Sequence, residues 1–213
     1  MAAIDHLVVA ARDLDTGARW LEERLGVPLA PGGVHVAMGT HNRLLKLAGR
    51  PDLYLEVIAI DPAGAPPARP RWFGLDDPAQ QARLAARPHL VHWVARSDNL
   101  ARDALPAHGD TLAMARGAYR WRITVPADGQ APGAGLLPTL IQWDVPDHPA
   151  RHLPDAGCAL MKLEGFHPAP ASLADDLEKL GLARELALFP TESGEPAQLV
   201  AYLKTPLGLV ELD

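Results

Sequence analysis

Two stretches of this chain, "IDHLVVAARDL" from Ile4 and "LVHWVARSDNL" from Leu90, are apolar strands that carry one histidine at the same place, an offset of 86 residues. The segments downstream of the two strands are alike. In the first half, "DLDTGARWLEERLGV" offers Asp13 as an N-cap, Leu14, Ala18, Leu21 and Leu25 at helical spacing, and Gly26 at the stop. "GVHVAMG", "THNRLLKLA" and "LYLEVIAID" then read as three strands. In the second half a shorter helix in "NLARDALPAHG", interrupted by Pro106, precedes the strands "TLAMA", "YRWRITVP" and "LLPTLIQWDV". A βαβββ order that occurs twice restricts the chain to the α+β class, built from paired modules.

The organisation expected is a first module over 1–62, a connector over 63–88, a second module over 89–146 and a C-terminal extension over 147–213. The connector is rich in proline, with a short helix near Gln80 to Ala86, and Trp72 and Phe73 fit a segment lying over a sheet better than a free linker. The extension reads as strand, helix and hairpin. It is similar to a truncated third module, but Met161 stands where His6 would fall, so it is expected to act as a cover.

Composition narrows the function classes. Net charge is −6 and the 20 basic residues are scattered, which gives no electrostatic footprint for nucleic acid. No apolar run approaches the roughly 18 residues of a membrane span, and no basic segment precedes the first apolar stretch. The single cysteine, Cys158, cannot form an internal disulfide and reads as a buried thiol. A cytoplasmic protein with a small-molecule partner is expected, either as a monomer or as a homodimer.

Side chains alternate across a strand, so His6 is expected to share a face with Ile4 and Val8, and Glu56 with Tyr54 and Ile58. Aligning the halves sets His6 on His92 and Glu56 on Gln142, again 86 residues apart. If the two sheet faces curl together, His6, Glu56, His92 and Gln142 converge. An ionised carboxylate in an apolar strand costs several kcal/mol unless it meets a cation or strong donor. For Glu56 that partner is either a divalent metal or an arginine, for which Arg43, Arg120 and Arg122 are the candidates.

Taken together, "IDHLVVAARDLDTGARWLEERLGV", "GTHNRLLKL", "YLEVIAID", "RPRWFGLD", "LVHWVAR", "YRWRITVP" and "GLLPTLIQWD" resemble the glyoxalase-like domain of the vicinal oxygen chelate superfamily. The resemblance covers about Ile4 to Leu182. It implies paired βαβββ modules forming cupped mixed sheets around a divalent metal (Zn, Ni, Co, Fe or Mn). By position it implies His6, Glu56, His92 and Gln142 as ligands. The position that is a glutamate base in glyoxalase I is Gln142 here, so base chemistry is assigned to Glu56.

The function expected is that of a metal-dependent lyase, isomerase or hydrolase acting on a small oxygenated metabolite. Two alternatives stand beside it: an Fe(II) ring-cleaving dioxygenase using His6, His92 and Glu56, and a metal-free binding protein of the same fold, against which the 5% aromatic content argues. His41 and Asn42, at a strand mouth, and Arg120 and Arg122, alternating about Trp121, are the candidate substrate contacts. His148, His152 and His167 are expected at the surface, and Trp72 and Phe73 as cover for a core.

Overall fold

The computed structural model describes residues 2–213. Strand β1 (Ala3–Ala10) leads through helix α1 (Leu14–Leu25) to β2 (Ala30–His35), β3 (Thr40–Lys46) and β4 (Tyr54–Ile60). Helix α2 (Pro78–Ala86) follows in the connector. The order then recurs as β5 (His89–Arg96), α3 (Leu100–Asp103), β6 (Asp110–Arg116), β7 (Tyr119–Val125) and β8 (Thr139–Trp143). The C-terminal part adds β9 (Ala159–His167), α4 (Pro170–Leu180), β10 (Ala187–Pro190), β11 (Gln198–Thr205) and β12 (Gly208–Leu212).

The local signals behave as their chemistry requires. Asp13 accepts the Thr16 N–H at 2.8 Å, and Gly26 closes α1 in the left-handed region at φ 71°. In the second half α3 has only one turn and stops at Asp103: Ala104 and Leu105 are extended, as chain ahead of a proline tends to be, and Pro106 opens a separate 3-10 turn.

Eight strands form one mixed sheet in the order β2-β3-β4-β1-β5-β8-β7-β6. The two histidine-bearing strands, β1 and β5, are antiparallel neighbours at its centre. The sheet curls until its edges meet, where Arg116 at the end of β6 reaches His35 of β2 and Asn42 of β3. Leu7, Val9, Leu55 and Val57 face outward and pack with Ala18, Leu21 and Leu25 of α1. Val8, Ala10, Ile58, Val94, Ile123 and Ile141 face inward, where Trp72 and Phe73 of the connector close over them. Burying two such aromatic side chains stabilises this cover by roughly 1.5–3 kcal/mol each.

The single turn of α3 leaves the outer face of the second half without a full helix. A four-stranded sheet, β10-β9-β11-β12, covers it, with Leu163, Leu199, Ala201 and Leu203 in one apolar layer with Leu90, Trp93 and Ala95. Met161 of β9 is 58% exposed, and Cys158 is buried in the outer layer. Among the described residues, no helix is long and apolar enough to cross a membrane.

Candidate active site

The inner face of the cup holds a connected set of polar side chains around His6. Strand β1 shifts register between Ile4 and His6, a bulge that brings the neighbouring side chains of Asp5 and His6 together. Ile4 therefore packs in the outer layer, and the expectation that it shares the His6 face is corrected by this bulge. The Nδ1–H of His6 donates to Asp5 Oδ1 at 2.7 Å, leaving Nε2 to face Glu56 Oε1 at 3.7 Å. The imidazole is stacked on Tyr54, with ring centroids 4.5 Å apart.

Asp5 has no exposed surface and is held from three further directions. Trp143 Nε1–H donates at 3.0 Å and His148 Nε2–H at 3.2 Å, and the Arg96 guanidinium lies at 3.8 Å. Burial pushes the carboxyl up, but hydrogen bonds from His148 and His6 outweigh it, so Asp5 sits well below the usual carboxylate range. It is a buried anion.

Glu56 finds its partner in Asn42, whose Nδ2–H donates to Oε2 at 2.6 Å. The Oδ1 of Asn42 in turn accepts from Arg116 at 3.1 Å and from the Gly33 N–H at 3.0 Å. Gly32 makes room for this: a Cβ there would lie 2.1 Å from Asn42 Oδ1. His35 accepts from Arg116 at 3.3 Å and approaches Thr40 Oγ1 at 3.1 Å through Nδ1. Burial and then the Arg116 charge lower its pKa to about 3, so it is a neutral acceptor. Arg116 forms no ion pair among the described residues.

These groups line a cavity of about 30 Å³ whose apolar walls include Trp72, Phe73, Trp121 and Trp143. That is room for a water-sized occupant. Three of the chain's five tryptophans stand at this one place.

The second half does not mirror the first as the spacing implies. Val8 pairs with Glu56 and Val94 with Thr139, so once His6 is set on His92 the counterpart of Glu56 is Thr139, not Gln142. Thr139 does bond His92: its N–H donates to Nε2 at 3.0 Å, while the His92 Nδ1–H donates to Gly135 O at 3.0 Å. With both ring nitrogens engaged and burial lowering its pKa to about 3, His92 is a neutral structural residue. Gln142 alternates with Ile141 and Trp143, which face the cavity; it points outward and accepts the Leu100 N–H at 3.1 Å.

The arginines expected to serve the site do not reach it. Arg120 donates to the carbonyls of Gly117 and Tyr119, Arg122 pairs with Asp144, and Arg43 pairs with Asp15. Both β7 arginines lie on the face opposite Trp121. Of the two strand-mouth residues only Asn42 lines the cavity; His41 alternates to the other face of β3. His148, expected at the surface, is 3% exposed and bonds Asp5.

The sequence profile of the glyoxalase-like domain matches residues 4–181. The chain belongs to the glyoxalase-like domain family. A solved structure of a hypothetical protein from Staphylococcus aureus shares its fold at 12% identity, covering 99% of this chain and 84% of that one with a TM-score of 0.56. A methylmalonyl-CoA epimerase in complex with methylmalonyl-CoA and NH4+ is 20% identical, covering 70% of this chain and 99% of that one at a TM-score of 0.44. A hypothetical protein from Bacillus halodurans is 10% identical, covering 69% and 96% at a TM-score of 0.40. No curated protein matches the chain in sequence.

The resemblance to this family implies a divalent metal, and the residues present do not fit the four-ligand set. His6 and Glu56 approach one point, but the lone pair of His92 is taken by Thr139 and Gln142 is turned away. Among the described residues no group of three or more His, Cys, Asp or Glu side chains is placed to hold a metal ion. A guanidinium, that of Arg116, sits in the cup beside Asn42 instead.

Asp5, His35, Arg116 and His148 complete the candidate site, and strand patterning singles out none of the last three. Asp5 was visible as an acidic residue inside an apolar strand, the same oddity that marks His6.

Proposed function

We propose that this protein is an acid–base enzyme, an isomerase or lyase that moves a proton on carbon next to a carbonyl or carboxylate of a small metabolite. The observation that carries the reading is the 3.7 Å approach of His6 Nε2 to Glu56 Oε1 in a buried cup. With Asp5 holding the proton on Nδ1, both facing atoms are acceptors, and the pair is complementary to one shared or substrate proton. Glu56 takes the proton from carbon and passes it to the His6 Nε2 that faces it; the imidazolium so formed returns it to the carbon, which restores both groups, and Asp5 keeps the other ring proton on Nδ1 throughout. Such positioned acid–base groups contribute about 10²–10⁴-fold to rate.

Negative charge developing on the substrate oxygen is met by Arg116, which lines the cup and has no carboxylate partner among the described residues. Asn42 ties it to Glu56, so base and anion-stabilising group are held at a fixed separation. A preorganised donor of this kind supports on the order of 10²–10³-fold. The cavity admits a substrate only when its cover, Trp72 and Phe73, gives way.

The test is exchange of carbon-bound hydrogen in D2O across a panel of small 2-oxo, 2-hydroxy and malonyl-type acids, followed by NMR. Wild type is expected to exchange at least one of them and Glu56→Gln none. Absence of exchange across the panel, or equal rates in the variant, contradicts the proposal.

A further inference from the structure

Behind Phe73, on the side away from the cup, lies a second cavity of about 240 Å³. Among the described residues three that are not glycine adopt positive φ, and two of them, Phe73 (59°) and Ala134 (53°), are in its wall. Backbone held in this sparsely populated region collects where a site is over-determined by its surroundings.

The wall also carries His89, 3% exposed. Its Nδ1–H donates to Arg87 O at 3.4 Å, which leaves Nε2 as a lone pair, and Nε2 is buried without a partner among the described residues. Burial, and then the charge of Arg83, lower the His89 pKa to about 4, so the ring is neutral and Nε2 accepts. Three charged side chains line the cavity, and two are already committed. Asp77 caps α2 and accepts the Gln130 amide, while Asp213 is chelated by Arg87. Arg83, exposed and without an ion pair among the described residues, is the remaining one.

We infer that this cavity is a second small-molecule site, suited to a compact hydroxy acid whose carboxylate meets Arg83 and whose hydroxyl donates to His89. The site stands independently of the proposed reaction, although Phe73 belongs to the walls of both cavities and stacks on Trp72 at 5.4 Å. Occupancy is therefore reported by the Trp72 indole.

Glycerate, acetate and glycerol are titrated into the full-length protein while the Trp72 Nε1–H, assigned with Trp72→Phe, and the Ala134 amide are followed by NMR. Glycerate is expected to saturate both signals, and acetate and glycerol to bind at least about tenfold more weakly. Arg83→Gln, on an exposed helix face, is expected to weaken glycerate by about tenfold, and His89→Phe to remove the preference over acetate. Glu56→Gln is expected to bind as wild type. Lack of saturation, equal binding of acetate and glycerate, unchanged affinity in Arg83→Gln, or loss of binding in Glu56→Gln would each overturn the inference.

Discussion

Asp5 Oδ1 accepts the Nδ1–H of His6 at 2.7 Å, although the two residues are neighbours in one strand. Its other oxygen accepts from both Trp143 and His148. In Asp5→Asn the amide oxygen satisfies more donors by turning to that pair, which aims the NH2 group at His6. The proton then moves to Nε2, and the acceptor facing the cup is lost. Exchange activity is expected to fall on the order of 10²-fold and stability by roughly 1–3 kcal/mol. Histidine 15N spectra check the tautomer; an unchanged His6 tautomer with an unchanged rate contradicts the assignment.

Buried histidines make stability depend on pH, and His89, lowered to about 4, adds to the two lowered furthest. His35 and His92 are both lowered by burial, chiefly, from 6.5 to about 3. The unfolded chain therefore binds protons that the native state refuses, so stability is fully present above pH 6.5 and declines as pH falls toward 3. Each contributes a loss of about 2 kcal/mol between pH 7 and pH 5. Asp5, also depressed, adds its own loss only below its unfolded value of 3.8. Denaturant unfolding at the two pH values checks the slope, which His92→Gln is expected to reduce.

Gly32→Ala is expected to remove activity without unfolding the protein. Its Cβ meets Asn42 Oδ1 at 2.1 Å and the Asn42 carbonyl oxygen at 2.4 Å, so the local backbone must shift along with the amide that links Arg116 to Glu56. Overpacking of this kind costs about 1–3 kcal/mol. Substrate exchange is expected to fall well beyond that loss of folded protein, as a urea titration and rate measured on one sample will show.

Gln142 separates the two accounts of the site. It holds the Leu100 N–H outside the cup, so Gln142→Ala is expected to cost about 1 kcal/mol and to leave exchange within about twofold. A loss of activity comparable to that of Glu56→Gln would restore it to the active site.

The fold was legible because its signals are periodic and local: Asp13 and Gly26 bracket α1, and the βαβββ order occurs twice. Half of the candidate site was legible too. His6 and Glu56 are polar groups at inward positions of apolar strands, and Asn42 opens one. The rest depended on register. A bulge at Asp5 and the pairing of Val94 with Thr139 decide which side chains face the cup, and neither is written in strand alternation. Arg116 joins the candidate site only because the sheet curls until β6 meets β2. The aromatic content of 5% concealed how the tryptophans are concentrated in one wall.

The central claim is that His6, Glu56 and Arg116 carry proton transfer as a set. It is tested most directly by hydrogen exchange into a responsive substrate, using protein dialysed against chelator and checked by elemental analysis, for wild type, Glu56→Gln and Arg116→Gln. The account predicts that wild type keeps its rate after chelation and that both variants lose it. Activity that disappears on chelation and returns with an added divalent metal would contradict it.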